Sequence, residues 1–228
     1  MTNPPIPTVM KKTTALLFLA SLTLALSAQD LKVLPLNAHS ITKGSNLMEA
    51  FQNRQSVRSM ETTELPLQDL SDLLWAANGV NRPESGKRTA PSAMDSRDVD
   101  VYVCRADGSY LYDAVANSLK QITSQDLRPL LDGQRATGAP VILLLTSDMA
   151  KFRGYRPDSS LQKNKSAYEM GCLDAGIVSQ NIALYCAGTG LATVPRAGMD
   201  QKGLREALQL KKSQNLWLNH PVGYAKKQ

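Results

Sequence analysis

Histidine and cysteine are scarce in this sequence, which has two histidines and three cysteines among its 228 residues. The histidines, His39 and His220, lie far apart in the chain. No cysteine or histidine stands near another at the short spacings that are typical of zinc sites. We therefore predict no metal site.

The three cysteines also leave little room for disulfide bonds. Cys172 and Cys186 fall in one helical run, where the rise of about 1.5 Å per residue puts them roughly 21 Å apart. That distance is far too long for a disulfide within a straight helix. Cys104 lies in a strand-like run. We expect all three to be buried thiols that pack as small apolar side chains.

No apolar run is long enough to be a comfortable membrane span. The longest such stretch near the start, Ala15–Leu26, is shorter than the roughly 20 residues that a transmembrane helix needs. It follows Lys11 and Lys12 and is followed by small residues, which is the pattern of a secretory signal peptide. We predict a signal peptide over residues 1–28, export to the periplasm or medium, and no membrane attachment after cleavage. Met10 is an alternative start, and a retained anchor is the alternative to cleavage.

Aromatic residues make up only 5% of the chain, and the excess of positive charge is small. The net charge is +6, and removal of the two lysines in residues 1–28 leaves +4. The basic residues are scattered rather than gathered in a stripe, so the composition argues against nucleic-acid binding.

The pattern of the remaining chain predicts one α+β domain over residues 29–228. An extended lead-in covers Leu31–Gly44, and a loop covers Asn81–Arg97. Strands are predicted for "DVDVYVC" and "SYLYDA", joined by the turn "RADG", for "PVILLLT", for the short "LATV" and for "NLWLNHPVGY". Helices are predicted for Asn46–Asn53 with Ser45 as N-cap, from Leu67 to a stop at Gly79, for part of Leu119–Leu131, for the long apolar "SAYEMGCLDAGIVSQNIALYCAGTG" and for "QKGLREALQL".

The stretch "RQSVR" places Arg54, Ser56 and Arg58 at alternate positions after the first helix. Two guanidinium groups with a hydroxyl between them suit the oxygens of a phosphate group. A solvated loop is the alternative when this stretch is taken alone.

Four further stretches follow in a fixed order: "APSAMD", "GIVSQNIALYCAGTGLATVP", "VPRAGMD" and "PVGYAKK". Together with "RQSVR" they make the chain resemble the nitroreductase-like flavoproteins, and most of all the branch of SagB-type dehydrogenases. The resemblance runs from about Leu47 to Tyr224. It implies a central mixed, largely antiparallel sheet flanked by helices, FMN as cofactor, and a homodimer with a long buried central helix and the FMN sites at its interface.

The resemblance also implies roles for individual residues. In one subunit, the FMN phosphate and ribityl chain would contact Arg54, Gln55, Ser56, Arg58 and a basic residue near the end, Lys226 or Lys227. The partner subunit would place Pro91, Ser92, Ala93, Met94 and Asp95 against the flavin ring, with Asp95 where the family usually has asparagine. The flavin N5 edge would face Val194, Pro195, Arg196, Ala197 and Gly198, mainly through the backbone N–H groups of Ala197 and Gly198.

The activity that the resemblance implies is ping-pong hydride transfer through flavin N5, to or from a small organic substrate, with NAD(P)H as a possible donor. Tyr155 and Arg156 are candidates for contact with the substrate, and an ordinary exposed loop is the alternative for both. No side chain is predicted to act as a catalytic acid or base. Two other functions stay open: a non-catalytic exported flavin-binding protein, and a degenerate scaffold that binds no flavin.

Overall fold

The computed structural model describes residues 31–134 and 136–226. The predicted signal peptide and Lys227 lie outside these residues. The α-helices are Leu47–Asn53 (α1), Leu67–Asn78 (α2), Arg128–Asp132 (α3), Lys165–Thr189 (α4) and Gln201–Ala207 (α5). The strands are Val33–Pro35 (β1), Val80–Arg82 (β2), Lys87–Arg88 (β3), Val99–Arg105 (β4), Gly108–Asp113 (β5), Ser118–Thr123 (β6), Val141–Asp148 (β7), Ala192–Thr193 (β8) and Gln214–Gly223 (β9).

One seven-stranded sheet forms the centre of the fold, in the order β1-β6-β5-β4-β7-β9-β8. Every strand pair in the described part of the chain is antiparallel. The β4–β5 pair is the hairpin that the sequence predicted, with Arg105 opposite Gly108. The predicted α+β class is confirmed, and the pairing is more uniformly antiparallel than the mixed sheet that we expected.

Helices cover both faces of this sheet. On one face, α2 and α4 pack Leu73, Leu74 and Ile182 against Val103 of β4 and Leu143 of β7. On the other face, short helices bring Leu131 and Leu204 onto Tyr102, Ile142 and Leu144. All eight residues of β7 are buried, as predicted for an apolar strand covered on both sides.

The long helix α4 is only half covered within the protomer. Ala175, Val178 and Ile182 face the core, whereas Leu173 is 60% exposed and Ile177 is 37% exposed. These two residues belong to an exposed stripe, which we call the α4 stripe. Its members recur at helical spacing: Cys172, Leu173, Gly176, Ile177 and Gln180.

Three sequence predictions need correction. Cys172 is exposed rather than buried, because it lies on the outer face of α4. The region Leu119–Leu131 starts as strand, because Ser118–Thr123 pairs with β5 on one side and β1 on the other; only Arg128–Asp132 is helical. The N-cap of α1 is Asn46 rather than Ser45, since the Asn46 side chain accepts a hydrogen bond from the Glu49 N–H.

The predicted loop Asn81–Arg97 contains more structure than expected, namely the small β2–β3 hairpin and a 3-10 helix at Ala93–Asp95. Gly79 ends α2 as predicted, and its N–H donates to the Trp75 carbonyl. No helix in the described ranges combines the length and apolar character needed to cross a membrane.

Candidate active site

The "RQSVR" stretch lies between the short edge strand β8 and the end of the chain. The Val57 N–H donates to the Thr193 carbonyl at 3.0 Å, and the Lys226 N–H donates to the Ser59 carbonyl at 3.1 Å. These bonds fix the backbone of the stretch, whereas the side chains of Arg54, Gln55, Ser56 and Arg58 are exposed. The backbone that carries the predicted phosphate-binding side chains is therefore fixed, and the side chains themselves are accessible to a bound molecule.

Arg58 connects two concave surfaces. The first is a groove of about 690 Å³ that also contacts Gln55, Ser56 and Lys226. The second is a cleft of about 940 Å³ that Arg58 shares with the Val194–Asp200 turn. Arg58 and Lys226 thus line one groove, and Arg58 also lines the adjoining cleft; both volumes are in the range of small-molecule sites.

Arg54 lies on a neighbouring surface. It lines a separate groove of about 480 Å³, together with Gln55 and the C-terminal half of α4. Gln55 borders both this groove and the one that holds Arg58. Arg54 and Arg58, the two arginines predicted to bind the phosphate, therefore line two different grooves that meet at Gln55.

The Val194–Gly198 turn is fixed on β9 by an ordered set of hydrogen bonds. Arg196 and Asn219 exchange backbone bonds in both directions, at 2.9 and 2.7 Å. The Arg196 guanidinium donates to the Asn219 side chain at 2.8 and 3.0 Å and to Asp132 at 2.6 Å. Asn219 in turn donates to the Gly198 carbonyl at 3.1 Å. The Arg196 side chain thus stabilises the turn, which leaves the backbone of the turn to face a ligand.

Two backbone N–H groups of this turn are available. Ala197 and Gly198 are exposed in the 940 Å³ cleft, and within the described residues neither N–H has a hydrogen-bond partner. A β-carbon at Gly198 would meet no atom within 4 Å. Paired donors of this kind can stabilise negative charge that develops on a bound group.

A buried histidine lies beneath this region. His220 on β9 is fully buried and contacts Ser179 of α4 at 2.8 Å and Thr193 of β8 at 3.2 Å. Burial, with a smaller effect of Arg196, lowers the pKa of His220 to about 3, so the ring is neutral. The histidine ties three elements together and so positions Thr193, whose carbonyl holds Val57.

The sequence analysis missed several residues of the cleft. Gln134, Thr137 and Asp132 line it beside the turn, and Asn219 supports it from behind. The Thr137 N–H and hydroxyl donate to Asp132, at 3.2 and 3.4 Å. One signal was present: the polar pair Asn219–His220 interrupts the apolar part of β9, between Leu218 and Pro221.

The "APSAMD" stretch forms a loop at a different place, on the N-terminal half of α4. The Ala93 N–H donates to Asp174 at 2.8 Å, and the Ser92 hydroxyl accepts from the Arg97 N–H at 2.9 Å. Met94, Asp95 and Arg97 have φ values of 56°, 53° and 50°. Residues other than glycine rarely adopt this left-handed backbone conformation, so the loop is strained.

Asp95 is engaged within its own loop. Its carboxylate accepts from Arg97 at 3.0 and 3.3 Å, and this hydrogen bond lowers the pKa of Asp95. The resemblance predicts a different contact for Asp95, with the flavin ring at the site of the partner subunit. A single protomer does not contain that contact.

The two halves of the predicted site are separated within one protomer. The loop binds Asp174, whereas the groove of Arg54 contacts Cys186, 12 residues further along α4. At about 1.5 Å per residue this is about 18 Å. No described cleft contacts both stretches.

The two predicted substrate residues lie on the loop that follows β7. Tyr155 packs near Ala93 and Phe152 and lines a groove of about 680 Å³. The Arg156 backbone is held by Asn164, which accepts from its N–H at 2.9 Å and donates to its carbonyl at 3.0 Å. The Arg156 side chain is exposed and lies outside the 940 Å³ cleft.

The chemistry of the cleft fits a phosphorylated, electron-accepting ring better than a metal. Arg58 and the free backbone donors of Ala197 and Gly198 line the cleft, and Lys226 lines the groove that shares Arg58 with it. Within residues 31–134 and 136–226, no group of three His, Cys, Asp or Glu side chains is placed to hold a metal ion.

Comparison with known proteins gives consistent matches. The model of the Nitroreductase family matches residues 51–224. A protein of Methanocaldococcus jannaschii, provisionally assigned as a nitroreductase, is 27% identical over 188 residues, covering 78% of this chain and 90% of its own. A crystal structure from Ralstonia eutropha with the same provisional assignment is 32% identical, with a TM-score of 0.78 over 86% of this chain and 90% of that one. A Staphylococcus epidermidis structure, provisionally an NAD(P)H:FMN oxidoreductase, shares the fold at 12% identity, with a TM-score of 0.59 over 84% of this chain and 92% of that one.

Proposed function

Because the chain belongs to the nitroreductase family, we propose that this oxidoreductase binds FMN and passes hydride between a donor and a small organic acceptor. The observation that carries the proposal is the position of Arg58, which links a cationic groove to a cleft with two free N–H groups. When bound, FMN would supply the hydride chemistry through its N5 atom.

The residues of this chain would bind and orient the cofactor. Arg58, Ser56 and Lys226 suit the phosphate group, since all three line the 690 Å³ groove. The Ala197 and Gly198 N–H groups are available as donors to the N5 edge, on a turn held rigid by Arg196 and Asn219. Gln134 is a further polar contact in the same cleft.

We also propose that the protein is a homodimer. The α4 stripe leaves Leu173 and Ile177 exposed on the longest helix, and such residues are commonly covered by a partner. The Ser92–Arg97 loop lies about 18 Å along α4 from the groove of Arg54. A second copy packed on the α4 stripe can bring its own loop to the cleft and complete the site.

Export remains part of the proposal. The pattern of residues 1–28 supports a cleaved signal peptide and a periplasmic or secreted enzyme. NAD(P)H is then a less accessible donor than in the cytoplasm. For this reason the alternative reaction is that of a SagB-type dehydrogenase, in which the enzyme oxidises an organic substrate.

The test is to purify residues 29–228 and record the flavin content, the mass of the assembly and the response to NADH without oxygen. We expect yellow protein, one FMN per protomer, a dimer, and bleaching that an added nitroaromatic reverses. Bleaching by an organic substrate but not by NADH would favour the dehydrogenase. Bound FMN that no donor reduces would indicate a flavin-binding protein, and protein that binds no added FMN would refute the proposal.

A further inference from the structure

Two carboxylates are buried beneath the Ser92–Arg97 loop. Asp98, which follows the loop, is completely buried, and Asp174 on α4 is 4% exposed. Asp98 Oδ2 lies 3.4 Å from the point where a β-carbon at Gly171 would stand, one helical turn before Asp174 on the same face. The same β-carbon would clash with Ser147 Oγ on β7, so the missing side chain at Gly171 lets α4 pack closely on the sheet beside Asp98.

The two carboxyl groups hold the loop from below. Asp174 Oδ2 accepts from the Ala93 N–H at 2.8 Å, and Asp98 Oδ1 accepts from the Ser96 hydroxyl at 2.9 Å. Among the described residues, Asp98 Oδ2 has no conventional hydrogen-bond donor. The Asp98 side chain also makes a hydrogen-bonding contact with that of Asp174. Two carboxylates this close in a dry site cannot both be ionised without a large cost. One proton between them would satisfy the remaining oxygen.

The nearby charged groups have other partners. Arg97 pairs with Asp95 in the loop, and Lys151 pairs with Asp100 of β4 at 2.8 Å. Arg88 of β3 donates to a backbone carbonyl at 3.4 Å.

Among residues 31–134 and 136–226, β7 and α4 place no unpaired cation beside the two carboxyl groups. On β7, Ser147 accepts from the Trp217 indole N–H, and Asp148 accepts from the Ala150 N–H. On α4, Glu169 pairs with Lys165 at the surface. A shared proton is thus the means by which the structure can neutralise the pair.

We propose that Asp98 and Asp174 share one proton and form a latch that fixes the strained Ser92–Arg97 loop on α4 for contact with the flavin of the partner subunit. The role toward flavin rests on the proposed function, whereas the shared proton rests on the protomer alone. Both aspartates are positioning residues, since they act through Ala93 and Ser96.

The latch has a defined pH dependence. Burial, and next the hydrogen bond with Asp174, raise the pKa of Asp98 from 3.8 to about 7. The unfolded chain therefore releases this proton near pH 4, while the folded chain keeps it to about pH 7. The folded state binds more protons over that interval, so stability falls as pH rises through it and levels off above it. Above pH 7 the latch carries two negative charges and weakens.

The substitution Asp98→Asn tests the shared proton. The amide can accept from Ser96 and donate to Asp174, so it imitates the protonated acid at every pH. We expect the urea concentration at which half of the wild type is unfolded to decrease between pH 5 and pH 8. The corresponding urea concentration for D98N should change less. The exposed Asp107→Asn is the matched control and should follow the wild type. A D98N profile parallel to the wild type would overturn the shared proton; if D98N fails to fold, Asp174→Asn takes its place.

The second measurement concerns the flavin. FMN affinity of the wild type, from quenching of flavin fluorescence, should weaken by up to about tenfold per pH unit above the pKa, because binding then takes up a proton. D98N should bind with an affinity that does not change over this range. Equal pH profiles would overturn the role of the latch toward flavin. If no variant binds FMN at any pH, the proposed function fails, and the unfolding profiles still decide whether the proton is shared.

Discussion

Replacing Arg196 by methionine should loosen the turn on which the cofactor site depends. Methionine keeps much of the length of the side chain but donates no hydrogen bond. It leaves Asp132 and Asn219 without the guanidinium that joins them, at sites where the Arg196 and Asp132 side chains are only 16% and 12% exposed. Removing one partner of a buried ion pair costs about 3–5 kcal/mol. Because this pair keeps some exposure, we expect about 3 kcal/mol.

Urea unfolding of the apo-protein measures this loss directly. With a slope of about 2–3 kcal/mol per M, a loss of about 3 kcal/mol moves the midpoint by about 1 M or slightly more. Arg205→Met is the matched control, since Arg205 is also partly buried but makes one bond, to the Gln214 carbonyl. That control should lose only about 1 kcal/mol.

A double-mutant cycle with Asp132→Asn then separates the ion pair from the packing of the arginine stem. We expect a coupling energy of about 1–3 kcal/mol between the two positions. If R196M is no less stable than R205M, or if the coupling is zero, the hydrogen bonds from Arg196 to Asp132 and Asn219 do not stabilise this turn.

Two further predictions concern the cofactor and the dimer. Arg58→Ala should weaken FMN binding about tenfold or more in a titration of apo-protein, because a charge-assisted bond is worth roughly 1.5–3 kcal/mol; the exposed Arg153→Ala should not, and equal losses would contradict the phosphate assignment. Ile177→Glu should convert a dimer to monomers in sedimentation, because it buries a charge in the interface; Val115→Glu, at an exposed turn, is the control, and a dimeric I177E would remove the α4 stripe from the interface.

Local patterns were enough to predict the main elements of the fold. The apolar run of β7, the hairpin β4–β5 and the long helix α4 each depend on the periodicity of their own residues, and the structure confirms all three. Strand β6 was missed because its character depends on neighbours that are distant in sequence. Ser118 pairs with Pro35 of β1 and Asp113 of β5, and no short window contains the first of these contacts.

The residues of the candidate site also fall into two groups: some belong to short sequence motifs, and others come together only in the folded chain. The stretches around Arg58 and Gly198 were found because each is a compact motif, and the structure places both on one cleft. Asp132 and Gln134 line that cleft, and Asn219 supports it from behind, only because the α3 region and β9 fold against the turn. The sequence neighbourhoods of Asp132 and Gln134 have no feature that predicts this meeting, whereas the polar pair Asn219–His220 was a visible signal in β9.

The Ser92–Arg97 loop and the α4 stripe are two features of the protomer that support the proposed homodimer. A left-handed conformation costs a non-glycine residue of order 1–2 kcal/mol, and the loop holds Met94, Asp95 and Arg97 in it. Within the protomer the contacts of these residues do little to offset that cost. Met94 is 57% exposed, and Asp95 pairs with Arg97 in its own loop. The loop is nevertheless anchored on α4, the helix whose outer face leaves Leu173 and Ile177 uncovered. We infer that the strain is maintained for a surface that a second copy of this chain provides.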